Sequence, residues 1–115
     1  MLNINMEFLR GILFVRLKGI LNKKSYKTFE EEVFPVVLKH EIKYIVINLD
    51  SVNVIDIYGI ESLIKLNDIA ISNNGKTTLC SLTSKQVKEL LHKDIYQNKF
   101  YETADELTAI GVINL

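Results

Sequence analysis

Apolar and polar residues alternate along 3–9 (NINMEFL), which puts Ile4, Met6 and Phe8 on one side. A second alternating run at 12–18 (ILFVRLK) sets Leu13 and Val15 against Ile12, Phe14, Arg16 and Lys18. Side chains of a strand point alternately to opposite faces, so two such runs across Arg10-Gly11 predict a β-hairpin. Gly19-Ile20-Leu21-Asn22 reads as a break, after which the period changes. Tyr26, Phe29, Val33 and Val37 fall at helical spacing, with Glu30, Glu31 and Glu32 on the solvent side. Asn22 or Ser25 is placed to cap this helix. Pro35 inside it removes a hydrogen bond and clashes one turn back, at about 3 kcal/mol, which predicts a kink or an early end.

Residues 43–49 (KYIVINL) are apolar on both sides, with Tyr44 and Val46 opposing Ile45, Ile47 and Leu49. That pattern suits a central strand covered on both faces. Residues 50–53 read as a loop and Val54-Ile55 as a short extended piece. A second helix is predicted over 58–72, with Ile60, Leu63, Ile64, Asn67, Ala70 and Ile71 along its apolar stripe, stopped by Asn73-Asn74-Gly75. A strand follows at 76–82 (KTTLCSL). Thr83 and Gln86 have capping-box spacing ahead of Val87, Leu90 and Leu91. A last strand is predicted at 95–100. Thr103 and Glu106 form a second capping box before a short helix carrying Leu107 and Ile110, ended by Gly111. The order is β-β-α-β-α-β-α-β-α, an α/β fold with a single-layer mixed sheet of about five strands and about four helices. The later strands should run parallel, joined by right-handed crossovers.

Composition narrows the function more than the fold. A chain of 115 residues with 48% hydrophobic and 24% charged residues fits one globular domain, taken as residues 1–115. Fourteen basic residues balance 14 acidic ones, which speaks against nucleic acid as a partner. No apolar run approaches the roughly 18 residues of a membrane-spanning helix. The opening MLNINMEFLRG alternates and carries charge, unlike a signal peptide. The one cysteine, Cys80, lies in an apolar run and reads as a small buried hydrophobe, which fits a cytoplasmic setting. The two histidines, His40 and His92, fall at or near helix ends and read as surface residues. No phosphate-binding glycine loop and no metal-ligand spacing occurs, so no cofactor, metal or catalytic residue is indicated. Lys85, Lys88 and Lys93 read as a solvated helix face.

The stretch 54–62 (VIDIYGIES) is the unusual one. Asp56 is placed to cap the second helix, accepting from first-turn N–H groups and favoured by the helix dipole. Gly59 suits a crowded turn. Ile57 and Tyr58 are bulkier than such a turn needs. If this helix start lies at the C-terminal edge of the sheet, it lies where loops commonly bind other molecules.

Taken together, the chain resembles the anti-sigma-factor antagonist family, the bacterial form of the STAS domain. The resemblance spans nearly the whole length. It rests on the paired opening strands, GILN at 19–22 where that family often has Gly-x-Leu-Asp, IVINL at 45–49, DIYG at 56–59, NNGKTTLCSL at 73–82 and VKELL at 87–91. It implies a non-catalytic regulatory domain. Its partner would be a protein that is both anti-sigma factor and serine kinase, contacted through Asn22, Asp56, Ile57, Tyr58, Gly59 and Ser62. In that family the residue before the glycine is a serine or threonine that the partner phosphorylates. Tyr58 occupies that position here, and Ile57 has no hydroxyl. A phenol oxygen stands a ring's length from the backbone, outside the reach of a kinase site built for a hydroxyl on Cβ. No phosphorylation switch is therefore expected. The alternative reading is an accessory subunit of a stressosome-type signalling assembly or of a lipid or anion transporter.

Overall fold

A computed structural model of the protein describes residues 1–114. Five strands, β1 (Leu2–Leu9), β2 (Ile12–Leu21), β3 (Tyr44–Ile55), β4 (Lys76–Cys80) and β5 (Tyr101–Thr103), form one sheet in the order β1-β2-β3-β4-β5. β1 and β2 are antiparallel; β2, β3, β4 and β5 are mutually parallel. The helices are α1 (Tyr26–Lys39), α2 (Ile57–Ser72), α3 (Lys85–Leu91) and α4 (Glu106–Ile113). The mixed sheet and the element order agree with the sequence reading.

Alternation along the strands decides which helix goes where. Leu13, Val15 and Leu17 of β2 and Ile45, Ile47 and Leu49 of β3 point to one face. There they meet Phe29, Val33 and Val37 of α1, Ile60, Leu63 and Leu66 of α2, and Val87 and Leu91 of α3. Ile12, Phe14, Val46 and Cys80 point to the other face, under Ala109 of α4. Cys80 is fully buried, and burial raises the pKa of its thiol.

Several boundaries differ from the sequence reading, among them the strand expected at 76–82, which ends at Cys80. β2 runs on to Leu21 instead of breaking at Gly19, because Gly19 takes φ +113° at a register shift against β3. β3 continues through 50–53, the expected loop. Lys18, Gly19, Ile20 and Leu21 pair with its far end, and Val52 is buried there. The last strand is 101–103 rather than 95–100. Asp94–Tyr96 form a 3-10 turn, and the apolar signal came from Tyr96 and Phe100, which pack against the core from irregular backbone. Gly111 lies inside α4 rather than at its end. Pro35 likewise sits within an unbroken α1, on its exposed side, where the carbonyl it leaves unpaired can face solvent.

Both expected capping boxes work differently. Ser84 caps α3, accepting from Val87 N at 3.4 Å, and Asp105 caps α4, accepting from Thr108 N at 2.8 Å. Neither Thr83 nor Thr103 accepts from its helix. Thr83 Oγ1 donates instead to Asp50 O at 3.0 Å and Ser84 Oγ to Asn53 O at 2.8 Å. Gln86 grips Ile55 twice, accepting from its N–H at 3.0 Å and donating to its carbonyl at 2.9 Å. β4 pairs with β3 only as far as Asn48, so these side chains supply a ladder along the overhanging end of β3.

Candidate functional site

The start of α2 stands at the C-terminal edge of the parallel strands, directly after β3. Asp56 is its N-cap, with extended backbone and a carboxylate that accepts from Gly59 N at 3.0 Å. Its second oxygen accepts from Lys23 N at 2.9 Å, and its own N–H donates to Leu21 O at 3.3 Å. One residue thus ties the end of β2, through its backbone, to the 22–25 turn and α2, through its carboxylate. Residues further along that turn are locked from within. Asn22 N donates to Ser25 Oγ at 2.9 Å, Asn22 Oδ1 accepts from Lys24 N at 2.9 Å, and Ser25 Oγ donates to Ile20 O at 2.7 Å. Ser25 stands at the N-cap position of α1 without its hydroxyl capping the helix.

Gly59 is set by distance rather than by φ. A Cβ at this position would come within 2.4 Å of Leu21 O and 2.9 Å of Ile55 Cγ1. The helix start is therefore pressed against the end of β2. Ile57 and Tyr58 point away from that contact and are 55% and 39% exposed. The Tyr58 ring leans on Tyr26 of α1, with centroids 5.6 Å apart, and Lys23 Nζ lies 5.6 Å from its centre. A shallow cleft of about 360 Å³ beside it is lined by Tyr26, Ile57, Tyr58, Glu61 and Lys65.

Ser62, which the resemblance implied as a partner contact, is not on the surface. It is fully buried in the seam between α1 and α2, and its hydroxyl donates to Glu30 Oε2 at 2.6 Å. Glu30 in turn reaches Lys65 Nζ at 3.6 Å, so of the three consecutive glutamates one is engaged across the seam. The structure therefore brings together Asn22, Asp56, Ile57, Tyr58 and Gly59, and places Ser62 beneath them, out of solvent. Tyr26 and Lys23 complete the surface. Sequence reasoning read Tyr26 only as a core position; its helical spacing does not distinguish a core residue from one at the core's rim.

What the arrangement offers is a rigid apolar-aromatic surface flanked by Lys23, Lys65 and Glu61. Among the described residues no group of three or more His, Cys, Asp or Glu side chains is arranged to hold a metal ion. No helix there is long and apolar enough to cross a membrane.

A mixed sheet opened by a hairpin, with a capped helix start at its C-terminal edge, defines a class of small α/β modules. The chain belongs to the STAS domain family, whose model matches residues 3–108. Its fold is similar to that of the Thermotoga maritima protein TM1081, at 16% identity over 97% of this chain and 95% of that one, with a TM-score of 0.89. It is similar to an anti-sigma factor antagonist from Mycobacterium paratuberculosis, at 14% identity over 100% and 96% of the two chains and a TM-score of 0.87. It also resembles the phosphorylated form of the Bacillus cell fate determinant SpoIIAA, at 14% identity over 96% and 99% of the two chains and a TM-score of 0.73.

Proposed function

We propose that the protein is a non-catalytic regulatory domain that binds an anti-sigma-factor or serine-kinase-type protein through the start of α2, without a phosphorylation switch at position 58. The observation that carries this reading is the exposed Ile57–Tyr58 pair on a helix start held by Asp56. Aromatic side chains fixed in one orientation bury large area on binding at little entropic cost. Tyr58 is fixed in that way by Tyr26 and Lys23.

The geometry around Gly59 speaks against a switch. A relative exists in a phosphorylated form, SpoIIAA, but its identity to this chain is 14%. Here the residue ahead of Gly59 carries its hydroxyl beyond an aromatic ring that packs on Tyr26. A kinase that aligns a hydroxyl at Cβ would find none at 57 or 58, and the nearest serine on α2, Ser62, is buried and engaged by Glu30.

Tyr58→Ala should weaken binding to the partner captured from the native source by about 2 kcal/mol, roughly 30-fold. Stability should change by less than about 1 kcal/mol, since the ring is partly exposed. Titration calorimetry and a thermal melt check the two halves; unchanged affinity would remove Tyr58 from the interface. Incubation with the partner kinase and ATP, followed by intact mass measurement, should show no added phosphate. A phosphate mapped to Tyr58 would overturn the loss of the switch.

A further inference from the structure

We infer that the free edge of β1 is a self-pairing surface, and that a second copy of this chain binds there as an antiparallel strand to give a two-fold dimer. β1 is the outer strand of the sheet, eight residues long, and pairs with β2 without a register shift. Edge strands of monomers are commonly blunted by lysine, proline or a bulge. Leu2–Leu9 contains none of these. Its single charge, Glu7, is already paired with Arg16 Nη1 at 2.8 Å.

The backbone groups that face outward follow from the turn. Arg10 and Gly11, at φ 51° and 82°, form a two-residue hairpin loop, so Leu9 and Ile12 are the hydrogen-bonded pair that closes it. Alternation then directs the N–H and C=O of Leu9, Glu7, Asn5 and Asn3 toward β2. Those of Leu2, Ile4, Met6 and Phe8 point away from the sheet. The contact between Ile20 N and Met1 O, 3.3 Å, keeps the same phase at the other end.

One register pairs all of the outward groups. It sets Leu2 opposite Phe8 of the second copy and Ile4 opposite Met6, joining the two apolar rows on the α1 side. Phe8, now 59% exposed, gains a neighbour, while Leu2, Ile4 and Met6 are only half-buried in the single chain. On the opposite side Asn3 meets Glu7, an amide facing a carboxylate, and Asn5 meets Asn5 across the two-fold axis. No like charges face each other. The opposite edge of the sheet is β5, only three residues long, so the pairing closes at two copies rather than running on.

Asn5 on the axis supplies the test. Asn5 is exposed, so charge there does not disturb the core. The full chain should sediment at twice its 13.2 kDa mass. Asn5→Glu and Asn5→Lys should each weaken dimerisation about fivefold or more, because each sets like charges opposite one another. An equimolar mixture of the two variants should recover the dimer, which also shows that both fold. A wild-type chain that stays at its single-chain mass would overturn the proposal. So would variants that dimerise as tightly as wild type, or a mixture that fails to recover.

Discussion

Gly59 and Gly111 both lie inside helices, yet the space around them differs completely. At Gly59 an added methyl would press on the Leu21 carbonyl; at Gly111 it would meet nothing within 4 Å. Gly59→Ala should therefore destabilise by about 2–3 kcal/mol through overpacking against backbone. Gly111→Ala should stabilise by about 0.5–1 kcal/mol by removing glycine's backbone entropy from α4. Denaturant melts of the two variants measure both signs. Asp56 and Gly59 were legible in the sequence because a helix start restricts which residues fit. Ser62 was not, because the partner that buries it, Glu30, comes from another helix.

Among the elements, α4 shows how one short helix is fastened across the sheet. Glu106 in its first turn accepts from Arg16 Nε at 2.8 Å, Arg16 Nη2 at 2.9 Å and Asn48 Nδ2 at 2.9 Å. The Arg16 guanidinium, and then Asn48, hold the Glu106 carboxyl below the usual carboxylate range against the opposing effect of burial. A depressed folded pKa contributes stability above the unfolded value, lost as pH falls through the folded one. Glu106→Gln should cost about 1–2 kcal/mol at neutral pH. The difference from wild type should shrink once pH falls below the ordinary glutamate value of about 4.3. Stability curves at neutral and acidic pH check this; a gap that does not change with pH would exclude the ion pair as its source.

The elements also show where sequence reading stops. Long periodic segments, α1, α2 and the body of β3, were recognisable because burial imposes their period. The overhang of β3 was missed because residues 50–53 are mostly polar, with Val52 the one apolar residue, and show no alternation. The backbone of 50–55 is bonded to Lys18–Leu21 on one side and to Thr83, Ser84 and Gln86 on the other. The spacing of Thr83 and Gln86 matches a capping box, but spacing alone does not tell a side chain that serves its own helix from one that serves a neighbouring strand. β5 was misplaced because Tyr96 and Phe100 contribute apolar character without strand geometry.

At the scale of the whole molecule, two surfaces have different characters. The start of α2 presents side chains, Ile57 and Tyr58, while the β1 edge presents backbone. Directly before the start of α2 lies the overhanging end of β3, clamped by Gln86. Gln86→Ala should cost about 1 kcal/mol. It should also speed amide hydrogen exchange at Ile55, the residue just before the Asp56 cap, while leaving the central strands protected. Unchanged exchange there would mean that the clamp does not hold this end of the strand closed.

The fastening of Asp56 to Gly59 and Lys23, with Gln86 on the residue before it, has a calorimetric consequence. A surface that must fold as it binds adds its own burial to the heat-capacity change of association and loses affinity to ordering. Here the start of α2, proposed above as the contact region, is already set in the free chain. Its encounter with a partner should resemble the meeting of two solid faces, with a heat-capacity change that reflects only the area they cover.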